Sequence, residues 1–201
     1  MPFKTDCILN SIKFIFFLKP SPIFAQNFQM NKVGLFYGSD TGNTEVIAGL
    51  IQKMIGEERV DVIDVYDCSP DSFDKYQNII IGLSTWHDGQ LVSAFDDFEN
   101  DFKTIDFTGK KVALYGLGDQ FGYADYFIDG VGIIGEMVKE QGGELVVQWP
   151  TEDYDYEESK ADLGNGFFMG LALDEDNQED FTESRLEKWV PMVLEAFGEK
   201  K

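Results

Sequence analysis

Residues 33–56 read VGLFYGSDTGNTEVIAGLIQKMIG, and they contain a complete strand–turn–helix pattern. Its first five residues are an apolar run, which is typical of a strand that is buried on both faces. A turn rich in glycine, serine and threonine follows. Apolar residues then recur at helical spacing and stop at Gly56, where a helix C-terminus is expected. A strand, a short turn and an amphipathic helix are the opening unit of a parallel α/β sheet.

The same alternation continues along the rest of the chain. Further apolar runs predict strands at 60–65, 79–83 and 112–116. Helical periodicity predicts helices between the third and fourth strands and after the fourth. A fifth strand begins at 145–149 and ends at Pro150, but the apolar run 167–173 indicates that it resumes after a long polar excursion. Asp180 and Glu183 have the spacing of a capping box, which predicts the start of a last helix.

Strict alternation of strand and helix predicts an α/β fold. We expect a doubly wound, five-stranded parallel sheet whose fifth strand is interrupted by a long loop, with helices on both faces. Ligands of such sheets bind beyond the carboxyl ends of the strands, where the strand order reverses. The loops after the first, third and fourth strands are therefore the candidates for a binding site.

The composition narrows the classes of function. The 201 residues include 16 Lys and Arg against 37 Asp and Glu, a formal net charge of −21. A chain this acidic repels nucleic acid backbones and anionic membrane surfaces, so basic protein partners are expected. The two cysteines, Cys7 and Cys68, lie in unrelated segments, and no cluster with metal-ligand spacing accompanies them. This usage favours a reducing compartment such as the cytoplasm.

Residues 1–29 differ in character from the rest of the chain. The apolar run 12–18 has Lys4 before it and is too short to span a bilayer, so no stable membrane insertion is expected. One interpretation is a targeting segment, which would allow a plastid location. The other is an upstream start codon, with Met30 as the true first residue. Either way, the functional domain is predicted to occupy residues 30–201.

The loop after the first strand has the pattern of a phosphate cradle. It consists of Ser39, Asp40, Thr41, Gly42, Asn43 and Thr44. The loop runs straight into a helix, so backbone N–H groups converge at the helix N-terminus with several hydroxyls beside them. It lacks the lysine of a Walker motif, which favours a monophosphate over a triphosphate. A plain helix cap is the alternative, but a cap needs only one hydroxyl.

The other two loops contribute aromatic and polar residues. The loop after the third strand contains Ser84, Thr85, Trp86, His87, Asp88 and Gly89. The loop after the fourth strand contains Gly116, Leu117, Gly118, Asp119, Gln120 and Tyr123. Trp86 and Tyr123 can sandwich a flat heterocycle, although aromatic residues at sheet edges more often only bury area. Asp119 and Gln120 can hydrogen-bond a polar ring edge.

These three loops, together with the run LALDEDNQ at 171–178, resemble the long-chain flavodoxins over essentially residues 31–198. The resemblance implies strand order 2-1-3-4-5, with FMN at the switch point between the first and third strands, as is known for flavodoxin-like sheets. It implies that residues 39–44 hold the FMN phosphate and that Thr85 lies near the ribityl chain. Trp86 would cover one face of the flavin and Tyr123 the solvent side. The pyrimidine edge would then meet Asp119 and the backbone of Gln120.

The function implied by the resemblance is that of a low-potential one-electron carrier, without substrate turnover of its own. Surrounding carboxylates raise the energy of the anionic reduced flavin and so lower its potential. The resemblance also implies that the peptide carbonyl between His87 and Asp88 turns to accept a hydrogen bond from flavin N5–H, and Gly89 would supply flexibility nearby. His87 would make the potential depend on pH if it titrates beside the flavin, but a solvated loop histidine is the simpler interpretation.

The resemblance also implies a monomer whose partners are basic redox proteins such as ferredoxin–NADP reductase, photosystem I or nitrogenase reductase. Two other classes share the architecture. An FMN-dependent quinone reductase would need open space over the flavin, where Tyr123 is expected. A signalling receiver domain would need clustered acidic residues after the first strand, which the Ser/Thr-rich loop does not supply.

Overall fold

The computed structural model of the protein describes residues 32–198. The predicted extension at residues 1–29, in either interpretation, lies outside these residues. The strands are β1 (Val33–Tyr37), β2 (Val60–Asp64), β3 (Asn78–Trp86), β4 (Gln90–Leu91), β5 (Lys111–Leu117), β6 (Glu144–Val146), β7 (Trp149–Pro150), β8 (Phe167–Phe168) and β9 (Leu171–Leu173). The helices are α1 (Asn43–Ile55), α2 (Ser93–Phe102), α3 (Asp129–Glu140) and α4 (Glu179–Ala196). Short 3-10 turns lie at Val65–Asp67, Pro70–Lys75 and Ala124–Tyr126.

The main sheet is parallel and follows the order β2-β1-β3-β5, which confirms the predicted order of the first four strands. β4 adds a short antiparallel pairing at the end of β3. The chain moves from β1 to β2 on one side and then crosses to β3 on the other side. The strand order therefore reverses between β1 and β3, and their carboxyl ends meet at the edge where ligands of such sheets bind.

The fifth strand is built from two separate pieces. β6 pairs in parallel with the first half of β5, and β9 pairs in parallel with its second half. The predicted interruption is confirmed, but the predicted strand 145–149 is too long. Val147 has a φ of 62°, a left-handed conformation that β-branched residues rarely adopt, so the chain leaves the sheet there. β7 then pairs antiparallel with β8 and closes the base of a long loop, residues 151–166, which we call the excursion.

Large aromatic side chains fill one part of the core. Phe73 stacks on Phe36 with the ring centroids 3.8 Å apart, and it meets Phe102 and Phe107 edge-on. All four side chains are fully buried. Burying a side chain of this size contributes roughly 2–3 kcal/mol, so this cluster is a main source of stability for the sheet.

A close contact between β3 and β5 positions the first turn of α1. Gly82 and Tyr115 are paired across the two strands, and a Cβ atom on Gly82 would lie 1.9 Å from Tyr115 Cζ. The Tyr115 hydroxyl is fully buried and donates a hydrogen bond to the carbonyl oxygen of Thr44 at 3.1 Å. The Tyr115 ring thus lies over the backbone of Gly82, and its hydrogen bond connects the sheet to the N-terminus of α1, next to the predicted cradle.

The start of the last helix differs from the prediction. α4 begins at Glu179 with Gln178 as its N-cap residue, and no side chain caps it. Asp180 lies in the first turn instead, where a negative charge interacts favourably with the helix dipole. The predicted capping box is therefore wrong, although the predicted helix is present. Among residues 32–198, no helix combines the length and the apolar character needed to cross a bilayer.

Candidate functional site

A cleft of about 320 Å³ opens at the carboxyl ends of β1, β3 and β5. This volume lies within the range of small-molecule and cofactor sites, about 300–1,000 Å³. The predicted site residues that line it are Thr41, Asn43, Thr44, Ser84, Thr85, Trp86, His87, Leu117, Gly118, Asp119 and Tyr123. The three loops selected from the sequence therefore converge on one site.

The cradle loop places the N-terminus of α1 at one end of this cleft. Gly42 is the N-cap residue and has a φ of 93°, which favours glycine, and a Cβ atom there would meet nothing within 4 Å. The Gly42 N–H donates to Ser39 Oγ at 2.9 Å, which closes the loop. Asn43 and Thr44 are the first helical residues, and N–H groups of a first turn have no partner within the helix. This end of the cleft can therefore donate hydrogen bonds to an anion.

Asp40 is the one charged residue of the cradle loop, and its carboxylate is held away from the cleft. Its Oδ2 accepts a hydrogen bond from Ser93 Oγ at 2.9 Å and a longer one from Ser93 N at 3.5 Å. Ser93 is the first residue of α2, so the carboxylate interacts favourably with that helix N-terminus. The cradle residues that line the cleft, Thr41, Asn43 and Thr44, are all uncharged.

The loop after β3 presents Trp86 and His87 to the cleft. Trp86 Nε1 donates to Ser84 Oγ at 3.0 Å, which orients the indole. Thr85 Oγ1 accepts a hydrogen bond from Gly130 N at 3.0 Å in the first turn of α3. His87 has a φ of 46° and Gly89 a φ of 82°, so the chain turns tightly between β3 and β4. His87 and Asp88 are exposed, whereas Gly89 is buried behind the cleft.

The loop after β5 is organised around the carboxylate of Asp119. It accepts hydrogen bonds from Phe121 N at 3.0 Å, Gly122 N at 2.7 Å and Asn177 Nδ2 at 2.9 Å. Partial burial acts to raise the pKa of Asp119, but the bonds from Gly122, Asn177 and Phe121 together hold that pKa below its ordinary value. The ionised carboxylate fixes the turn that presents Tyr123, whose side chain is half exposed.

Gln120 and Gly116 lie behind the cleft rather than in its lining. The backbone N–H and the side-chain amide of Gln120 both donate to Asp174 Oδ2, at 3.1 and 2.7 Å. The backbone N–H of Gln120, which the resemblance directs to the flavin, is thus bound to Asp174 inside the protein instead. A Cβ atom on Gly116 would lie 2.2 Å from Val131 Cγ2, which shows that this glycine lets α3 pack against the sheet.

Three residues that were not predicted also line the cleft: Tyr126, Glu175 and Asp176. Glu175 and Asp176 follow β9, the second piece of the fifth strand. Asp174 is fully buried and holds their loop by accepting hydrogen bonds from the backbone N–H groups of Asp176 and Asn177. The sequence contains a signal for them, because the acidic run begins where the resumed strand ends and parallel strands share that edge.

Comparison with known proteins decides the family. The Flavodoxin family model matches residues 35–189. This chain belongs to the flavodoxin family. A flavodoxin of Synechocystis sp. is 52% identical over 165 residues, which are 82% of this chain and 96% of that protein. Flavodoxin 1 of Escherichia coli is 44% identical over 162 residues, which are 81% of this chain and 92% of that protein.

A solved structure supports the same assignment. The crystal structure of Fusobacterium nucleatum flavodoxin bound to flavin mononucleotide matches this flavodoxin with a TM-score of 0.79 at 31% sequence identity. The match covers 83% of this chain and 99% of that one. The family resemblance predicted from the three loops is confirmed.

Proposed function

We propose that this flavodoxin binds one FMN in the cleft without covalent attachment and carries single electrons between partner proteins, with no substrate of its own. Three uncharged residues of the cradle loop and two aromatic side chains line the cleft at one edge of the sheet, and this placement is the main support for the proposal. The related Fusobacterium flavodoxin contains FMN. Bound FMN supplies the redox chemistry by accepting and releasing electrons one at a time.

The residues of the cleft fit the parts of FMN. Thr41, Asn43 and Thr44 would hold the phosphate through hydroxyl, amide and first-turn N–H groups, with no lysine or arginine among the cleft-lining residues. Trp86 would contact the flavin ring from one side and Tyr123 from the solvent side. The open space around Gly42 lets backbone approach a phosphate closely.

Negative charge around the cleft would lower the reduction potential of a bound flavin. Asp119, Glu175 and Asp176 line it, and Asp88 is exposed beside it. Carboxylates raise the energy of an anionic reduced flavin, so they lower the potential for its last reduction. A low potential suits an electron carrier, and Tyr123 at the mouth of the cleft disfavours a quinone reductase, which would need space there for two substrates.

Replacing Trp86 with alanine is expected to lower the affinity for FMN and for riboflavin to a similar extent, about tenfold each. Stacking on an indole contributes about 1 kcal/mol or more to an aromatic ligand, whether or not that ligand carries a phosphate. Fluorescence titration of the apoprotein measures both affinities. The matched variant Trp86→Phe keeps a ring and is expected to lose much less. An unchanged affinity in Trp86→Ala would remove this side chain from the site.

The partners are proposed to be basic redox proteins, in the class of ferredoxin–NADP reductase, photosystem I or nitrogenase reductase. The net charge of −21 and the acidic rim of the cleft support this. A monomer working in the cytoplasm is also proposed. The two-cysteine composition supports a reducing compartment, and the bacterial relatives named above give no support to the plastid alternative.

Electron transfer to a basic acceptor is expected to slow by about tenfold as ionic strength rises from low to physiological values. Salt screens the attraction that steers oppositely charged proteins together. Cytochrome c serves as the probe acceptor in stopped-flow measurements, and an uncharged quinone serves as the control. Transfer to the quinone is expected to be nearly independent of salt. Transfer to cytochrome c that does not respond to salt would contradict charge-steered docking.

A further inference from the structure

Asp129 is a buried carboxylate at the start of α3, directly behind the flavin cleft. Its side chain is 3% exposed and pairs through Oδ2 with Lys160 Nζ at 2.7 Å. Its Oδ1 accepts a hydrogen bond from the backbone N–H of Lys160 at 2.8 Å. Lys160 belongs to the excursion, so this pair connects the long loop to the helix that borders the site.

The turn that carries Trp86 and His87 rests on this ion pair. A Cβ atom on Gly89 would lie 2.5 Å from Asp129 Oδ2 and 3.2 Å from Lys160 Nζ. The backbone of the turn thus packs directly on the charged groups, which only glycine permits. At the other end of the turn, Thr85 Oγ1 accepts from Gly130 N. Both ends of segment 85–89 are therefore supported by the first turn of α3 and its partner from the excursion.

The backbone of Lys160 is itself pressed against α3. A Cβ atom on Gly132 would lie 2.3 Å from the carbonyl carbon of Lys160 and 2.4 Å from its oxygen. Ser159, the preceding residue, donates through Oγ to the carbonyl oxygen of Phe127 at 2.5 Å. These contacts fix the backbone at Lys160, so its side chain reaches Asp129 from a defined position.

We propose that Lys160 is a positioning residue of the cofactor site, and that its ion pair with Asp129 holds the 85–89 turn in the shape that binds flavin. This inference rests on the proposed function. The Lys160 side chain is 55% exposed, but its removal would leave the buried Asp129 carboxylate without its cation, and the turn packed on it would loosen. It would also leave one more negative charge near the flavin. FMN affinity and the reduction potential of bound FMN are therefore both expected to fall.

The test uses Lys160→Met, which keeps the length of the side chain and removes its charge. The dissociation constant for FMN is expected to rise about fivefold, and the midpoint potential of the bound FMN to fall. In the apoprotein, hydrogen exchange of a peptide covering residues 84–91 is expected to become faster. The hydrogen-exchange measurement needs no FMN, so it still tests the role of the ion pair if the protein proves not to bind FMN.

Two matched variants separate this role from a general loss of stability. Lys139→Met breaks an exposed ion pair with Glu136 in the same helix, 2.8 Å between the charged atoms, and is expected to leave all three readouts unchanged. Lys160→Arg keeps a cation and is expected to behave like the wild type. Wild-type exchange at 84–91 and wild-type FMN affinity in Lys160→Met would overturn the proposal. A loss in Lys160→Arg as large as in Lys160→Met would do the same.

Discussion

Replacing Thr41 with aspartate is expected to weaken FMN binding about a hundredfold, while riboflavin binding changes little. Thr41 is exposed and lines the phosphate end of the cleft, so the substitution adds a carboxylate there without disturbing the core. Two unit charges about 4 Å apart repel by roughly 4 kcal/mol at the effective dielectric of a protein surface. Each 1.4 kcal/mol is about a tenfold change in affinity, so partial screening still leaves a large effect.

Two control variants isolate the charge. Thr41→Asn has nearly the shape of Thr41→Asp but no charge, and it is expected to retain most of the FMN affinity. Thr104→Asp adds the same charge beyond the C-terminus of α2, at an exposed position away from the residues that line the cleft. It is expected to bind FMN like the wild type. Titration of each apoprotein with FMN and with riboflavin gives the comparison. Equal losses for both ligands in Thr41→Asp would place the phosphate elsewhere.

Replacing Gly82 with alanine is expected to destabilise the apoprotein by about 3 kcal/mol or more. The added Cβ would lie 1.9 Å from Tyr115 Cζ and 2.2 Å from its Cε1 and Oη atoms. Real Cβ atoms do not come this close to a neighbour, and both residues belong to central, fully paired strands that cannot move apart cheaply. Displacing the Tyr115 ring would also break its hydrogen bond to the carbonyl oxygen of Thr44 in the first turn of α1.

Urea denaturation of a small set of variants tests this contact. Tyr115→Ala is expected to be strongly destabilised by its cavity, and adding Gly82→Ala to it is expected to cost little more. Gly49→Ala serves as the control, because it lies within α1 and its Cβ would meet nothing within 4 Å. That variant is expected to be as stable as the wild type or more so. A Gly82→Ala variant with wild-type stability would show that the ring has another place to go.

Local patterns were enough to predict the parts of the fold that depend on nearby residues. Apolar periodicity predicts the strand–turn–helix unit at residues 33–56 and the interrupted fifth strand. It does so because apolar side chains must recur at the period of a strand or helix to lie on its buried face. Where the fifth strand leaves the sheet was harder to predict. Val147 carries a β-forming side chain, yet it adopts a φ of 62°, and the chain beyond it pairs as β7 with β8. Tertiary pairing overrides local propensity there.

The site could be located from the sequence. However, the sequence did not show which of its side chains face the cleft and which form hydrogen bonds within the protein. Gln120 looks available to a ligand, yet it is bound by Asp174, which lies 54 residues further along the chain. Asp40 similarly bonds to Ser93, 53 residues away. Such pairings depend on how loops from different strands meet, which single-sequence periodicity does not report. The ion pair between Lys160 and Asp129, which lies 31 residues earlier in the chain, could not be predicted for the same reason.

One-electron carriage by bound FMN is tested most directly by an anaerobic reductive titration of the FMN-reconstituted protein, followed through its absorption spectrum. We expect a long-wavelength band of the one-electron-reduced flavin to grow during the first electron equivalent and to decay during the second. Bleaching that runs directly to the fully reduced flavin, with no such band at any stage, would contradict one-electron carriage and favour a two-electron enzyme. A protein that takes up no FMN would contradict the site itself.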